Sequence, residues 1–178
     1  MVLYRFWPSE NAPSLRTKNE PDLRTVSHDL SHGAFRDIGN HKIVLQLSNP
    51  GDSILEMPDF PAFFPDGLLA TDRAYEIFSP FLANCGKWTT MWFQDCPLHY
   101  FSTLIELDIL DVDKTEFVEI NNIILDIRKY RFRDICVADH PIFRLSYNKV
   151  FFPLVSKEFI DLYSKYQMSG LEFTEVGS

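Results

Sequence analysis

Lys149-Val150-Phe151-Phe152-Pro153-Leu154-Val155, then Ser156-Lys157-Glu158-Phe159-Ile160-Asp161-Leu162-Tyr163-Ser164-Lys165-Tyr166, then Ser169-Gly170-Leu171-Glu172-Phe173-Thr174-Glu175-Val176 is the stretch that decides the fold. The first run is apolar, as a buried strand is. Ser156 stands at a helix N-cap, where its hydroxyl can accept a bond from an unpaired backbone N–H, worth about 1 kcal/mol. Glu158 in the first turn and Lys165 in the last complement the helix dipole. Phe159, Ile160, Tyr163 and Tyr166 recur at three- and four-residue spacing and make one apolar stripe. Gly170 is a stop, and Leu171, Phe173 and Val176 begin a closing strand. Residues 148–176 therefore read as strand, helix, strand.

The same unit occurs 85 positions earlier, within residues 57–93. Leu69-Ala70-Thr71-Asp72 aligns with Leu154-Val155-Ser156-Lys157, with Thr71 the matching N-cap. Tyr75, Ile77, Phe78, Ser79 and Phe81 fall on Ile160, Leu162, Tyr163, Ser164 and Tyr166, and Gly86 matches Gly170 within one residue. Lys87 to Phe93 follows as a strand, alternating Trp88, Thr90 and Trp92 against Thr89, Met91 and Phe93. Pro80 has no N–H to give, so the first helix is expected to kink or stop near Ser79. A duplicated unit organises a fold without naming an activity.

With 178 residues the chain reads as one domain, 1–178, large enough to bury roughly 70% of its unfolded surface without staples. No apolar run approaches the roughly 20 residues of a membrane span. Met1 to Pro8 lacks the charged start and long apolar core of a signal peptide. Cys85, Cys96 and Cys136 cannot all pair, and a chain of this size needs no disulfide, so a reducing cytoplasm is the expected compartment.

The net charge of −8 is unevenly spread. Residues 51–120 carry 13 acids against 3 bases, while the flanking stretches are each basic by a single charge. Acidic surface disfavours nucleic acid and anionic membranes, because those contacts are driven by neutralising phosphate. It favours a basic protein partner. A solvated acidic face kept for solubility accounts equally for the composition.

Residues 1–50 read as N-terminal strands and a long loop: Leu3 to Trp7 as a strand ended by Pro8, Ser9 to Thr25 as polar loop, Lys42 to Leu47 as a strand closed by the turn Ser48-Asn49-Pro50-Gly51-Asp52. His28 and His32 are four apart, but without the glutamate of a metal-protease helix. Met57 to Gly67, with three prolines and three phenylalanines, reads as an irregular, partly buried lead-in. Tyr100 to Val112 reads as a long apolar strand, in which Ile105, Leu107 and Ile109 alternate with Glu106 and Asp108. Asp111 to Thr115 reads as a turn and Ile120 to Ile127 as a strand. In Arg128 to Arg133, the bases Lys129, Arg131 and Arg133 share one face and Tyr130 and Phe132 the other. Such a strand can bind single-stranded nucleic acid. Beside Glu106, Asp108 and Asp111, cross-strand charge pairing is the expected role. Cys136 to Phe143 reads as a turn that leads into the last unit.

Catalytic signatures are lacking. Cys96 with His99 and Cys136 with His140 are the only cysteine–histidine pairs with ligand-like spacing, yet they lack the double spacing of a zinc module. The 7 glycines form no phosphate-cradling loop, and no two carboxylates are singled out. No catalytic residue, metal or cofactor is expected.

Several stretches in order resemble a known family. They are Pro58-Asp59-Phe60 with Leu69-Ala70-Thr71-Asp72-Arg73; Tyr100-Phe101 with Leu107 to Phe117; and Pro141-Ile142-Phe143-Arg144-Leu145, Leu154-Val155-Ser156 and Ser169-Gly170-Leu171-Glu172-Phe173. Across roughly residues 57–176 the chain resembles the bacterial immunity proteins of the immunity protein 11 type, from polymorphic toxin systems. The resemblance implies a cytoplasmic, non-catalytic binder. Its partner would be a cognate antibacterial toxin domain, delivered by type VI secretion or contact-dependent systems, which it plugs or holds inactive. Acid in the middle of the chain suits a basic toxin, and Glu106, Asp108, Asp111, Asp113, Glu116 and Glu119 are expected to form part of the toxin-facing surface. The alternatives are a small intracellular enzyme with a Cys/His or carboxylate site, and a structural adaptor. The expected fold is α+β: one domain with a central, largely antiparallel or mixed sheet and two strand–helix–strand units.

Overall fold

The computed structural model describes residues 2–10, 12–19, 22, 42–49, 56–64, 68–121, 123–133, 137, 139–147 and 153–177. Its strands are β1 (Leu3–Pro8), β2 (Ser14–Thr17), β3 (Leu45–Leu47), β4 (Ala62–Phe64), β5 (Leu68–Ala70), β6 (Gly86–Phe93), β7 (Cys96–Thr103), β8 (Glu106–Leu107), β9 (Glu116–Ile120), β10 (Ile123–Lys129), β11 (Ile142–Leu145), β12 (Leu154–Ser156) and β13 (Leu171–Val176). Helix α1 (Asp72–Phe81) lies between β5 and β6, and α2 (Lys157–Lys165) between β12 and β13. The fold is α+β. A five-stranded mixed sheet, in the order β13-β1-β12-β11-β8, is accompanied by the smaller sheets β5-β7-β6, β3-β2-β4 and β10-β9. No helix among the described residues is long and apolar enough to cross a membrane.

Both strand–helix–strand units are present, and the sheet order shows what they share. β5 and β6 are each antiparallel to β7, which lies between them. β12 and β13 are each antiparallel to β1, which lies between them. In each unit, then, two mutually parallel strands joined by a helix are split by a third, antiparallel strand. In the first unit the inserted strand comes next in the chain, by a hairpin through Gln94 and Asp95, both at positive φ. In the second it is the first strand of the chain. The second unit is thus the circularly permuted counterpart of the first.

Strand alternation assigns each face. On β1, Phe6, flanked by Tyr4, enters a core with α1 and α2, whereas Leu3 enters a second core behind the sheet. On β12, Val155 and Leu154 divide in the same way. The second core is closed by Ile127 and Tyr130 at the end of the β9–β10 hairpin. In the first unit, Leu68, Ala70 and Phe101 face the helices, while Leu69, Met91 and Tyr100 face Leu15, Leu45 and Phe63 of the β3-β2-β4 sheet. Each split unit therefore carries a helix on one face and a small β layer on the other.

The two helices meet through phenylalanine. Phe78 and Phe159, both fully buried, lie with ring centroids 4.9 Å apart. Phe60 meets Phe78 edge-on at 5.2 Å and stacks on Tyr163 at 5.9 Å. Phe78 and Tyr163 are equivalent positions of the duplication, so Phe60 bridges the two units at matched sites. Beside it, Asp59 ties their ends. Its carboxylate accepts from Arg73 Nη1 at 2.8 Å through both oxygens, and from the Ser169 N–H at 3.0 Å and the Ser169 hydroxyl at 3.1 Å. Gly170, at φ +101°, lies against the Phe60 carbonyl, where a Cβ has no room.

Several expectations are corrected. Thr71 and Ser156 occupy the N-cap positions, but neither makes a side-chain capping bond. The Ser156 hydroxyl is buried with no hydrogen-bond partner among the described residues, and its proximity is the chief cause that lowers the Glu158 carboxyl below the ordinary range, ahead of Glu158's own backbone N–H. Helix α1 runs past Ser79 and through Pro80 to Phe81; so close to the C-terminal end, the missing N–H removes only one late bond. Ser9–Thr25 is not all loop, because buried Leu15 and Thr17 alternate with exposed Arg16 in β2. The run Tyr100–Val112 is not one strand. At Leu104 and Ile105 the backbone leaves β6, the Leu104 N–H bonding the Cys85 carbonyl at 2.9 Å and the Ile105 carbonyl accepting from Arg144 N–H at 2.8 Å, so β7 and β8 belong to different sheets. Ile120–Ile127 is likewise broken, by a hairpin turn with Asn121 at φ 53°, a conformation asparagine tolerates. The stretches around His28, His32 and Cys136, and residues 149–152 of the last apolar run, lie outside the described residues.

Candidate functional site

The six acids singled out by charge lie along one connected path. Glu106 sits on β8, which pairs in parallel with β11 through Arg144 and Leu145. Glu106 and Asp108 are exposed because Ile109 and Leu110 are buried in the second core. The chain then makes a single 3-10 turn, Val112–Lys114, fastened by the Thr115 hydroxyl donating to the Asp111 carbonyl at 2.7 Å. Glu116 and Glu119 follow on β9, both exposed.

The basic segment after β10 pairs with this path. The Asp111 N–H donates to the Arg131 carbonyl and the Arg133 N–H to the Ile109 carbonyl, each at 2.7 Å. That registry brings Arg133 to 3.1 Å from Asp108, and the hairpin places Lys129 3.6 Å from Glu116. Cross-strand charge pairing is therefore present, Asp108 pairing with Arg133 and Glu116 with Lys129. Asp111 pairs with Lys114 at 2.8 Å, and this bond chiefly holds its carboxyl below the ordinary range. Asp113 and Glu119 are exposed and make no ion pair to another described residue. The exposed negative charge left for a partner centres on these two. Exposed ion pairs contribute about 0–1 kcal/mol each, so the three paired acids hold geometry more than stability.

Two other clusters escaped sequence reading. The His99 ring bonds Asp72 Oδ1 through Nε2 at 2.7 Å and lies 3.4 Å from the Thr90 hydroxyl through Nδ1, with Tyr75 stacked on it at 4.1 Å. The order hydroxyl, imidazole, carboxylate is that of a nucleophile with its base. The Thr90 contact is the longer of the two, and the covered ring, bonded to Asp72, docks the start of α1 on β7. The second cluster is a cleft of about 430 Å³ between β1, β13 and the end of β10, lined by Arg5, Trp7, Arg128, Tyr130 and Arg131 among others. Arg5 and Asp126 meet there across 121 positions, a separation no local pattern signals.

Among the described residues no group of three or more His, Cys, Asp or Glu side chains is placed to hold a metal. Cys85 is a buried free thiol that burial pushes above its ordinary value, and Cys96 is an exposed free thiol. No protein-family model matches the chain, and no curated protein matches it in sequence.

Proposed function

We propose that this chain is an immunity protein that binds and neutralises a cognate antibacterial toxin domain in the producer's cytoplasm, without a reaction of its own. The reading rests on the resemblance of residues 57–176 and on one structural observation. The acid-rich middle of the chain is displayed on the outside of a fixed scaffold, Glu106 to Glu119, with its backbone fastened to the following basic strand. Such a surface recruits a cationic partner quickly, since complementary potentials raise association rates. Paired acids keep their geometry, and Asp113 and Glu119 supply unspent charge. A toxin with a cationic cleft, as for a nucleic acid or nucleotide substrate, fits that surface.

Co-expression tests the proposal. The gene beside this one should encode a large secreted protein whose C-terminal domain stops growth when expressed alone. Restored growth and co-purification of that domain with this chain are expected. Failure of both, with the chain soluble, rejects the reading.

A further inference from the structure

The cleft between β1, β13 and β10 carries positive charge in a protein of net charge −8. Arg5, Arg128, Lys129 and Arg131 line it with the acid Glu175, Arg5 being paired with Asp126 at 2.9 Å and Lys129 with Glu116 at 3.6 Å. Arg5 is fixed in place: the residue is 8% exposed, it donates to Asp126 at 2.9 Å, and its guanidinium lies 4.3 Å from the centre of the Trp7 ring. The Tyr130 phenol sits beside it. Arg128, by contrast, is exposed and makes no ion pair to another described residue. A held, desolvated guanidinium next to an uncommitted one is a ready anion receptor, because charge-assisted bonds strengthen away from water.

We propose that this cleft binds a small phosphorylated metabolite of about nucleotide size. The phosphate would be held by Arg128, Arg131 and Arg5, and the organic part would lie along Trp7 and Thr174. Several cations at one mouth match a doubly charged phosphate better than a single carboxylate. Guanidinium forks suit phosphate geometry, and the volume falls within the roughly 300–1,000 Å³ of small-molecule sites. A polyanion is disfavoured because the acid-rich remainder of the surface repels an extended chain of phosphates.

Calorimetric titration of the full chain with adenosine 5′-monophosphate, pyrophosphate, adenosine and a single-stranded oligonucleotide tests this. Saturable binding of the monophosphate and pyrophosphate below about 1 mM is expected, with adenosine much weaker. Arg128→Ala should weaken both phosphates about tenfold and leave the melting temperature unchanged. The proposal is overturned by no binding of either phosphate up to about 10 mM, by equal binding of adenosine, or by phosphate binding indifferent to Arg128→Ala. Tighter binding of the oligonucleotide than of pyrophosphate also overturns it, in favour of a nucleic-acid surface.

Discussion

Replacing Asp59 by alanine should show how the two halves of the chain are joined. The Asp59 side chain is only 9% exposed, whereas its ion-pair partner Arg73 is 55% exposed. The Arg73 contact is therefore screened, and its loss is worth about 0.5–1 kcal/mol. The Ser169 side is different. Its N–H donates to Asp59 at 3.0 Å and its hydroxyl at 3.1 Å, and the Asp59 N–H returns a bond to that hydroxyl at 3.1 Å. Removing the buried carboxylate loses both Ser169 bonds at once, at a cost of about 1–3 kcal/mol because each is a bond to a charged group. Asp59→Ala should thus lose about 2–4 kcal/mol in urea unfolding, with an unchanged m-value. Arg73→Ala, which also removes the exposed Nη2 bond to the Tyr166 carbonyl at 2.7 Å, should lose about 1–2 kcal/mol, and the double variant should exceed Asp59→Ala only by the share of that second bond. Were Asp59→Ala within about 0.5 kcal/mol of the parent, or no worse than Arg73→Ala, the claim that Asp59 couples α1 to the end of α2 would be wrong.

Phe159→Ala should cost about 3–5 kcal/mol in the same assay, since the ring is fully buried between Phe78 and Phe173; a loss below about 1.5 kcal/mol would contradict a shared core. Gly170→Ala should cost about 2–4 kcal/mol, because φ is +101° and a Cβ meets the Phe60 carbonyl; an unchanged midpoint would refute that close approach. Burial of Tyr130 raises its phenol from 10.0 to about 12. Both states are neutral below about pH 10, so stability is intact there; it falls between about pH 10 and 12, as the unfolded chain ionises first, by about 2–3 kcal/mol. Tyr130→Phe should remove that alkaline loss, and an ultraviolet titration of the parent should show late-titrating phenols, since burial raises Tyr163 as well, one of which the substitution removes.

The duplication was legible because its signals are local. Hydroxyls at Thr71 and Ser156, stripes through Phe78 and Phe159, and Gly170 all lie within a few turns of the helices they mark. What each strand pairs with was not legible. β7 splits β5 from β6, and β1 splits β12 from β13, by long-range pairing that an apolar run does not encode. Tyr100 to Val112 is apolar throughout, yet it changes sheets at Leu104, where backbone partners and not side-chain type decide. The acids from Glu106 to Glu119 stood out by charge density, and the pairing of Arg133 with Asp108 followed from strand alternation. The cleft was missed because Arg5 and Arg128 are brought together only by the stacking of the hairpin on the five-stranded sheet.

The affinity of this chain for the proposed toxin partner, measured against salt for the parent and for the Asp113→Lys, Glu119→Lys double variant, tests the central proposal most directly. The account predicts a stable complex that silences the toxin, weakened by salt, with an association rate at least about tenfold slower after charge reversal. No complex, or a complex whose rate ignores both salt and reversal, contradicts it.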